Sequence, residues 1–453
     1  MDGLTPLGSW RSRTTFVLAL SASAVGLGNL WRFSYLVGEN GGGPFVVAYL
    51  ICLFGIAVPV LIAEVVVGNH GRSSPVMALR HAADRSLRSR AWAVGGVVAC
   101  LAGLLILSYY SVIAGWAMAY AVNMQAGEFA AASGLMVGEL FQQFLADPFE
   151  QIKWHSAFLF IVMLVVSLGV RRGLGLLVWI AVPALLALLG VLVTFALDHG
   201  DVAAAQAFLF GLQPLDFTAR SWLVALSQAF YTLGIGVGIG ISYGAYAPER
   251  IPIGRSVLAV AVFDTLIAVA AGIAIFPIVF ANNIEPSMGP GLLFVSVPYA
   301  FGNIAAGELY GALFFLLVFV AALGSAVALL EPVVGALKQY FRMRRFTAVV
   351  VAGAVIWLLG VGVALSFGSG DDASGPLAGL NLFGTLDRLT SVILLPLSAL
   401  ILSLFVGWRM RPELLRFQLD RESGVFFSLW YFLLRYIVPP AIVLVYVWSV
   451  AFA

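Results

Sequence analysis

Apolar stretches long enough to cross a lipid bilayer recur along the whole chain. A helix needs roughly 20 predominantly apolar residues to span the hydrocarbon core. Of the 453 residues, 62% are hydrophobic and only 10% are charged, and the polar stretches between the apolar runs are too short to form a soluble domain. The sequence therefore predicts a single polytopic membrane domain, 1–453, embedded in a lipid bilayer.

The length and periodicity of the apolar runs predict about eleven membrane spans. We number them span one to span eleven, and we expect them at residues 14–37, 44–69, 91–124, 155–170, 174–197, 221–247, 253–281, 308–340, 344–367, 380–408 and 424–452.

Lysine and arginine cluster in alternate loops, after spans two, four, six, eight and ten, whereas the other loops carry acidic residues such as Asp371 and Asp372. Because loops rich in Lys and Arg stay in the cytoplasm, we expect a cytoplasmic amino terminus and an extracytoplasmic carboxyl terminus in the inner (plasma) membrane. No cleavage pattern follows Arg11 and Arg13, so the first span is expected to remain. No nucleic-acid partner is expected, and the sequence leaves the oligomeric state open.

Two spans carry residues that break helices. Span one contains "SASAVGLGNLWRF", Ser21 to Phe33, and span six has glycine at every second position from Gly234 to Gly240. A single glycine cluster often reflects close helix packing. Here the clusters open two five-span sets, 14–197 and 221–408, and matched broken helices indicate the midplane site of a secondary transporter. We expect an all-α fold with a 5+5 inverted repeat and one additional helix, 424–452.

A broken helix offers partners for both ends of a zwitterion. The half that starts near Leu27 and Gly28 presents free N–H groups and a positive dipole end to a carboxylate. The half that ends near Tyr231 and Thr232 presents carbonyls to an ammonium group or a sodium ion. Asp264 lies inside span seven without a basic neighbour in sequence, and an ionisable group there indicates a functional site with a cation as partner.

The motifs "SAVGLGNLWRF...ENGGGPF" and "QAFYTLGIGVG" resemble the neurotransmitter:sodium symporter family, including its bacterial amino acid transporters of the leucine-transporter type. The resemblance covers nearly the whole chain. It implies that backbone N–H groups of Leu27 and Gly28 and the Tyr110 hydroxyl bind a substrate carboxylate. The residues that it implies around the substrate are Ser23, Ala24, Leu27, Gly28, Ile106, Tyr110, Tyr231, Thr232, Gly234, Val237, Ser325 and Leu329.

The resemblance also implies sodium as the coupling ion. The first sodium site would use Ala24, Asn29, Thr232 and Asp264 together with the substrate carboxylate. The second would use Ala22, Val25, Ala321 and Ser325. It lacks one side-chain ligand because Gly324 stands where the family has threonine, serine or aspartate, and a threonine restored there is expected to raise sodium affinity. Chloride is not expected, since Asp264 is already negative and Ala268 offers no hydroxyl beside Tyr49 and Gln228.

Two gates are implied as well. Arg32 and Asp387 resemble the charged pair that closes over the substrate from outside. The usual inner pair is replaced by Leu7 and Gln339, so cytoplasmic closure must rest on other contacts, such as packing of Trp10. Glu64 resembles a carboxylate that braces the break in span six.

These features predict a sodium-coupled symporter for a neutral, hydrophobic or aromatic L-amino acid. Gly234 and Val237 replace larger residues of the leucine-transporter type, which implies a wide pocket. A channel is disfavoured because no charged ring or repeated carbonyl filter is present, and an enzyme is not expected without a nucleophile–base pair or metal set. A non-transporting amino acid sensor and a symporter using one sodium ion remain alternatives.

Overall fold

The structure is a computed structural model that describes residues 8–211, 216–282, 291–367 and 381–451. Residues Leu7, Asp371 and Asp372, the predicted start of span ten at 380 and the predicted end of span eleven at 452 lie outside these ranges. The described residues are almost entirely helical, as predicted.

Nine of the described helices are long and apolar enough to cross a membrane. They confirm predicted spans two to five and seven to eleven, with bounds Gly43–Gly71, Arg90–Gln125, Pro148–Ser167, Val170–His199, Ile253–Ala281, Gly307–Tyr340, Arg345–Phe367, Leu382–Arg409 and Gly424–Trp448.

Spans one and six are missing from that set because each is broken into two short helices. Span one runs as Arg13–Ala24 and then 28–39, which begins with one π-helical turn. Span six runs as Ala219–Thr232 and Ile239–Tyr246. With these two, the described part of the chain contains the predicted eleven spans, and the predicted breaks are present at both positions.

The two breaks have different physical causes. In span six, Gly234, Gly236 and Gly238 have φ angles of 60°, 84° and 75°, a region that favours glycine because it carries no β-carbon. In span one, neither Gly26 nor Gly28 has a positive φ. Each of these glycines instead leaves space for a side chain from another span. A β-carbon on Gly26 would lie 2.6 Å from Ser325 Oγ, and one on Gly28 would lie 2.7 Å from Tyr231 Cε1.

Glu64 holds the broken part of span six. Its side chain is buried in span two, where Oε1 accepts a hydrogen bond from Gly236 N at 2.8 Å and Oε2 accepts one from Gly240 N at 3.0 Å. Freed backbone N–H groups are costly inside a membrane unless they are satisfied. A β-carbon on Gly240 would lie 2.6 Å from Glu64 Oε2, so this glycine gives the carboxylate access to the backbone.

Span four and several connecting helices differ from the prediction. Span four begins at Pro148, not at residue 155, because Asp147 Oδ1 accepts hydrogen bonds from Phe149 N and Glu150 N and starts the helix within a charged stretch. The shorter helices that periodicity did not predict are Pro75–Arg85, Gly134–Ala146, Val202–Phe210, Leu292–Gly302 and Pro412–Gln418. Span three packs along span eight, and the broken spans one and six lie beside this pair.

Candidate functional site

A cavity of about 540 Å³ lies between the two broken helices and spans three and eight. Every residue that the sequence implied around the substrate lines it, although those residues come from four separate spans. The cavity residues are Ser23, Ala24, Gly26, Leu27, Gly28, Asn29, Ile106, Tyr110, Phe230, Tyr231, Thr232, Gly234, Ile235, Val237, Ile239, Ser325, Leu329 and Leu395.

One part of this cavity is lined by donors suited to an anionic group. The Tyr110 hydroxyl is buried beside Ser325 and the Leu27 backbone and makes no hydrogen bond of good geometry among the described residues. The second half of span one begins beside it at Gly28, and the first N–H groups of a helix have no partners within that helix. A carboxylate placed here would receive hydrogen bonds from both, and a buried donor left without an acceptor is costly.

The rest of the cavity wall is largely apolar. Ile106, Val237 and Leu329 are buried and were expected, whereas Phe230, Ile235, Ile239 and Leu395 were not. Phe230 directly precedes the predicted Tyr231, so its nearness in sequence was an available signal. Leu395 comes from span ten, and nothing in its local sequence distinguishes it from the other apolar residues there.

The side chains predicted for the first sodium site form one hydrogen-bonded cluster. Asn29 Nδ2 donates to Asp264 Oδ1 at 2.7 Å, and Thr232 Oγ1 donates to Asp264 Oδ2 at 2.7 Å. Asn29 Oδ1 accepts from Gly26 N at 3.0 Å. The three side chains are buried, with exposures of 0 to 3%. Asn29, Thr232 and Ala24 line the cavity, whereas Asp264 lies behind Asn29 and Thr232 and does not.

Two further buried polar groups lack hydrogen bonds of good geometry among the described residues. They are the Tyr49 hydroxyl, which lies near Asp264, Thr232 and Thr265, and Gln228 Nε2. Gln228 Oε1 accepts from Arg32 Nη1 at 3.1 Å. Ala268, on the same span as Asp264, is buried and adds no polar group. Both unpartnered groups are donors, so their chemistry suits an acceptor or an anion.

The residues predicted for the second sodium site lie where span eight meets the first half of span one. Ser325 Oγ is 3.1 Å from the Val25 carbonyl and 3.2 Å from the Ser23 carbonyl. A β-carbon on Gly324 would lie 2.5 Å from the Ala22 carbonyl oxygen. Ala321 lies one helical turn earlier on span eight. Gly324 therefore permits a close approach of the two helices, in addition to lacking a ligand.

Arg32 and Asp387, the predicted outer gate, do not form an ion pair in the described structure. Arg32 donates to Gln228 and lies 4.8 Å above the Tyr231 ring, while Asp387 Oδ1 accepts from Tyr109 Oη at 3.3 Å. Both charges line an outer cavity of about 970 Å³ that shares Leu27, Tyr110 and Tyr231 with the central cavity. The two charged side chains therefore lie apart on the wall of this cavity, and their pairing stays a prediction for a closed state.

At the opposite end, Trp10 closes the space beneath span six. Its indole Nε1 donates to the Tyr243 carbonyl at 3.1 Å, its main-chain N donates to the Tyr246 carbonyl at 2.8 Å, and its ring meets both tyrosine rings edge-on. Leu7, one of the two residues that stand where the usual inner charged pair would be, lies outside the described residues. Gln339 Oε1 accepts from Ser74 N at 2.8 Å, a different role from pairing with the amino-terminal segment.

A buried ionic group supports this closure, and it is centred on Glu331, an intramembrane carboxylate for which the sequence suggested only a structural role. Tyr246 Oη donates a hydrogen bond to Glu331 Oε1 at 2.7 Å. The Arg345 guanidinium donates to both carboxylate oxygens of Glu331. Arg345 Nε also donates to the Val166 carbonyl at 2.8 Å. These contacts join spans four, six, eight and nine, so the network connects Trp10 through Tyr246 to three other spans.

The profile of the sodium:neurotransmitter symporter family matches residues 7–133 and 143–452. A sodium-dependent transporter of Bacillus subtilis, YhdH, is 32% identical over 440 residues, which is 96% of this chain and 96% of that protein. A sodium-dependent transporter of Haemophilus influenzae is 28% identical over 452 residues, 97% of each chain.

The fold matches that of a solved transporter. The crystal structure of MhsT in complex with L-phenylalanine has a TM-score of 0.87 and 38% sequence identity to this chain, and the match covers 97% of this chain and 99% of that one. The likeness extends over nearly the whole length of both proteins.

Proposed function

We propose that this chain, which belongs to the sodium:neurotransmitter symporter family, imports a neutral, hydrophobic or aromatic L-amino acid together with sodium by alternating access. The observation that carries the proposal is the central cavity, where an unpartnered Tyr110 hydroxyl and the start of the helix at Gly28 lie opposite apolar walls. A zwitterion with a bulky apolar side chain has matching chemistry. The complex of MhsT with L-phenylalanine supports the same substrate class.

In this proposal the substrate carboxylate and one sodium ion bind together. Asn29, Thr232 and the Ala24 carbonyl surround the ion at the cavity wall, and Asp264 behind them supplies the compensating charge. Hard cations prefer oxygen ligands. Because the carboxylate is itself a ligand of the ion, substrate and sodium raise each other's affinity by the same factor. The amino group is received by the carbonyls of Ala24, Tyr231 and Gly234.

A second sodium ion binds more weakly in this proposal, between the Ala22, Val25 and Ala321 carbonyls and Ser325. Chloride is not required, because Asp264 carries the negative charge. The chain forms two inverted repeats, 14–197 and 221–408, with 424–452 as an additional helix. The amino terminus faces the cytoplasm and the carboxyl terminus the outside. Outer closure brings Arg32 to Asp387, and inner opening separates Trp10 from Tyr243 and Tyr246.

The deciding experiment is uptake of radiolabelled neutral amino acids into proteoliposomes with an inward sodium gradient, compared with a potassium gradient. We expect sodium-dependent accumulation in the wild type and its loss in Asp264→Ala. Asp198→Ala, which removes an exposed carboxylate at the end of span five, is the matched control and should transport normally. Binding without accumulation in the wild type would favour a non-transporting sensor, and equal uptake by Asp264→Ala would refute the sodium-site assignment.

A further inference from the structure

A second large cavity lies at the end of the molecule where the chain begins, between the amino-terminal segment and the start of span five. It encloses about 910 Å³ and is lined by Trp10, Arg11, Thr15, Arg171, Arg172, Gly175, Leu176 and Trp179. No carboxylate lines it, and Arg11, Arg171 and Arg172 form no ion pair with any carboxylate of the described residues. Three cationic side chains thus share one concave space without a counter-charge among the residues that the structure describes.

The chemistry of the cavity changes along span five. Arg171 and Arg172 are exposed at its first turn. Trp179 follows Arg171 by about two helical turns, which places it roughly 12 Å deeper along the span at about 1.5 Å per residue. Leu176 and Trp179 are 57% and 50% exposed, so the deeper wall is an apolar surface open to the membrane. The cavity therefore has a cationic end at headgroup level and an apolar side in the acyl region.

We propose that this cavity binds the headgroup of an anionic phospholipid, with the phosphate at Arg11, Arg171 and Arg172 and an acyl chain against Leu176 and Trp179. Basic pockets between membrane helices on the cytoplasmic side attract anionic headgroups, and arginine pairs with phosphate through two parallel hydrogen bonds. A free phosphate would use the cationic end alone. The exposed apolar wall favours a lipid as the occupant.

The site would also connect two parts of the cytoplasmic closure. Arg171 already holds the amino-terminal segment, since Nε donates to the Ser9 carbonyl at 3.3 Å and Nη2 donates to Ser9 Oγ at 3.0 Å. Trp179 Nε1 donates to Thr15 Oγ1 at 3.2 Å on the first half of span one. A phosphate contacted by Arg11 and by Arg172 would add a third connection between this segment and span five. The inference does not depend on the identity of the transported substrate.

Native mass spectrometry of the purified full-length protein tests the proposal by titration with phosphatidylglycerol and, separately, phosphatidylcholine. We expect preferential retention of phosphatidylglycerol by the wild type. The double variant Arg171→Gln/Arg172→Gln should bind it roughly 30-fold more weakly, because each arginine near an anionic surface contributes about fivefold. Arg411→Gln/Arg421→Gln removes two exposed charges from the loop between spans ten and eleven and should retain the lipid as the wild type does.

Two further variants distinguish a lipid site from a folding defect and from a site for free phosphate. Arg171→Lys/Arg172→Lys keeps the charge and should restore most of the binding, which guards against a folding defect in the glutamine variant. Leu176→Asn should weaken phosphatidylglycerol retention without changing binding of inorganic phosphate. Equal loss in the two glutamine double variants, no preference over phosphatidylcholine, or competition by inorganic phosphate at the same concentration as the lipid would each overturn the proposal.

Discussion

Gly324 on span eight faces the carbonyl oxygen of Ala22 on span one, and a β-carbon at residue 324 would lie 2.5 Å from that oxygen. Real β-carbons do not approach a backbone oxygen this closely, so the two helices could meet in this way only with glycine at this position. The neighbouring Ser325 hydroxyl is within 3.2 Å of the Ser23 and Val25 carbonyls. The glycine at residue 324 therefore explains both the missing side-chain ligand of the second sodium site and the close packing of spans one and eight.

This contact changes the outcome expected for a threonine at residue 324. From the sequence, Gly324→Thr should raise sodium affinity by adding a ligand. The structure predicts instead a loss of stability of about 1–3 kcal/mol, because the added atoms overpack a buried contact. The measurement is thermal unfolding of the purified protein with and without sodium. Gly190→Thr, at a position on span five with no atom near its β-carbon, is the control. Unchanged stability together with tighter sodium binding would support the sequence-based expectation.

Transport should not require chloride. Asp264 provides a fixed negative charge beside Asn29 and Thr232, so replacing chloride by gluconate should leave uptake unchanged. Asp264→Asn removes that charge while the donors of Tyr49 and Gln228 stay without partners. Any activity that this variant retains should therefore depend on chloride. Loss of wild-type uptake in gluconate would show that the two donors hold an essential anion.

Val237 should set the width of the substrate pocket. It is 2% exposed and lines the cavity beside Gly234, so Val237→Phe should shift preference from aromatic towards smaller substrates. The expected change is roughly 1–3 kcal/mol in relative affinity, comparable to a methylene-scale change in an apolar pocket. Competition by unlabelled amino acids against one labelled substrate measures it. Val262→Phe, at a 47% exposed position on span seven, is the control, and matching profiles for both variants would place residue 237 outside the pocket.

The Glu331–Arg345 pair should stabilise the protein cooperatively. Glu331 is fully buried and Arg345 is 15% exposed by side chain, and removal of one partner of a buried ion pair typically costs about 3–5 kcal/mol because the other charge is left unpaired. We expect Arg345→Gln to be strongly destabilised and Glu331→Gln/Arg345→Gln to recover much of the loss. A double-mutant cycle of thermal unfolding measures the coupling. Additive effects of the two single substitutions would contradict it.

Tyr246 connects that pair to Trp10, so its hydroxyl should affect both the stability of the protein and the cytoplasmic closure. Tyr246→Phe keeps the ring that contacts Trp10 and removes only the hydrogen bond to Glu331. We expect a stability loss of about 1–3 kcal/mol, the cost of leaving a buried acceptor short of a partner, and reduced uptake.

Trp10→Phe removes the indole hydrogen bond to Tyr243 and should also reduce uptake. Full transport by both variants would show that closure rests on other contacts.

The sequence by itself determined the membrane class, the number of spans and the position of both helix breaks. Those features depend on local properties: the length of apolar runs, and glycines such as Gly236, whose lack of a β-carbon permits the positive φ found there. The residues around the cavity could be named from the sequence only because the family motifs supply a three-dimensional arrangement. Composition and periodicity alone did not separate Leu395 or Ile239 from other apolar residues.

The tertiary structure decided what distant residues do to one another. The glycines of span one were readable as helix breakers, but only the packing of Ser325 and Tyr231 against them shows that they provide space. The sequence suggested only a structural role for Glu331 and could not name its partners, because Tyr246 and Arg345 come from other spans. Burial, close approach and charge pairing depend on which spans become neighbours, and hydrophobic patterning does not encode that choice because every span presents a similar apolar surface to the lipid.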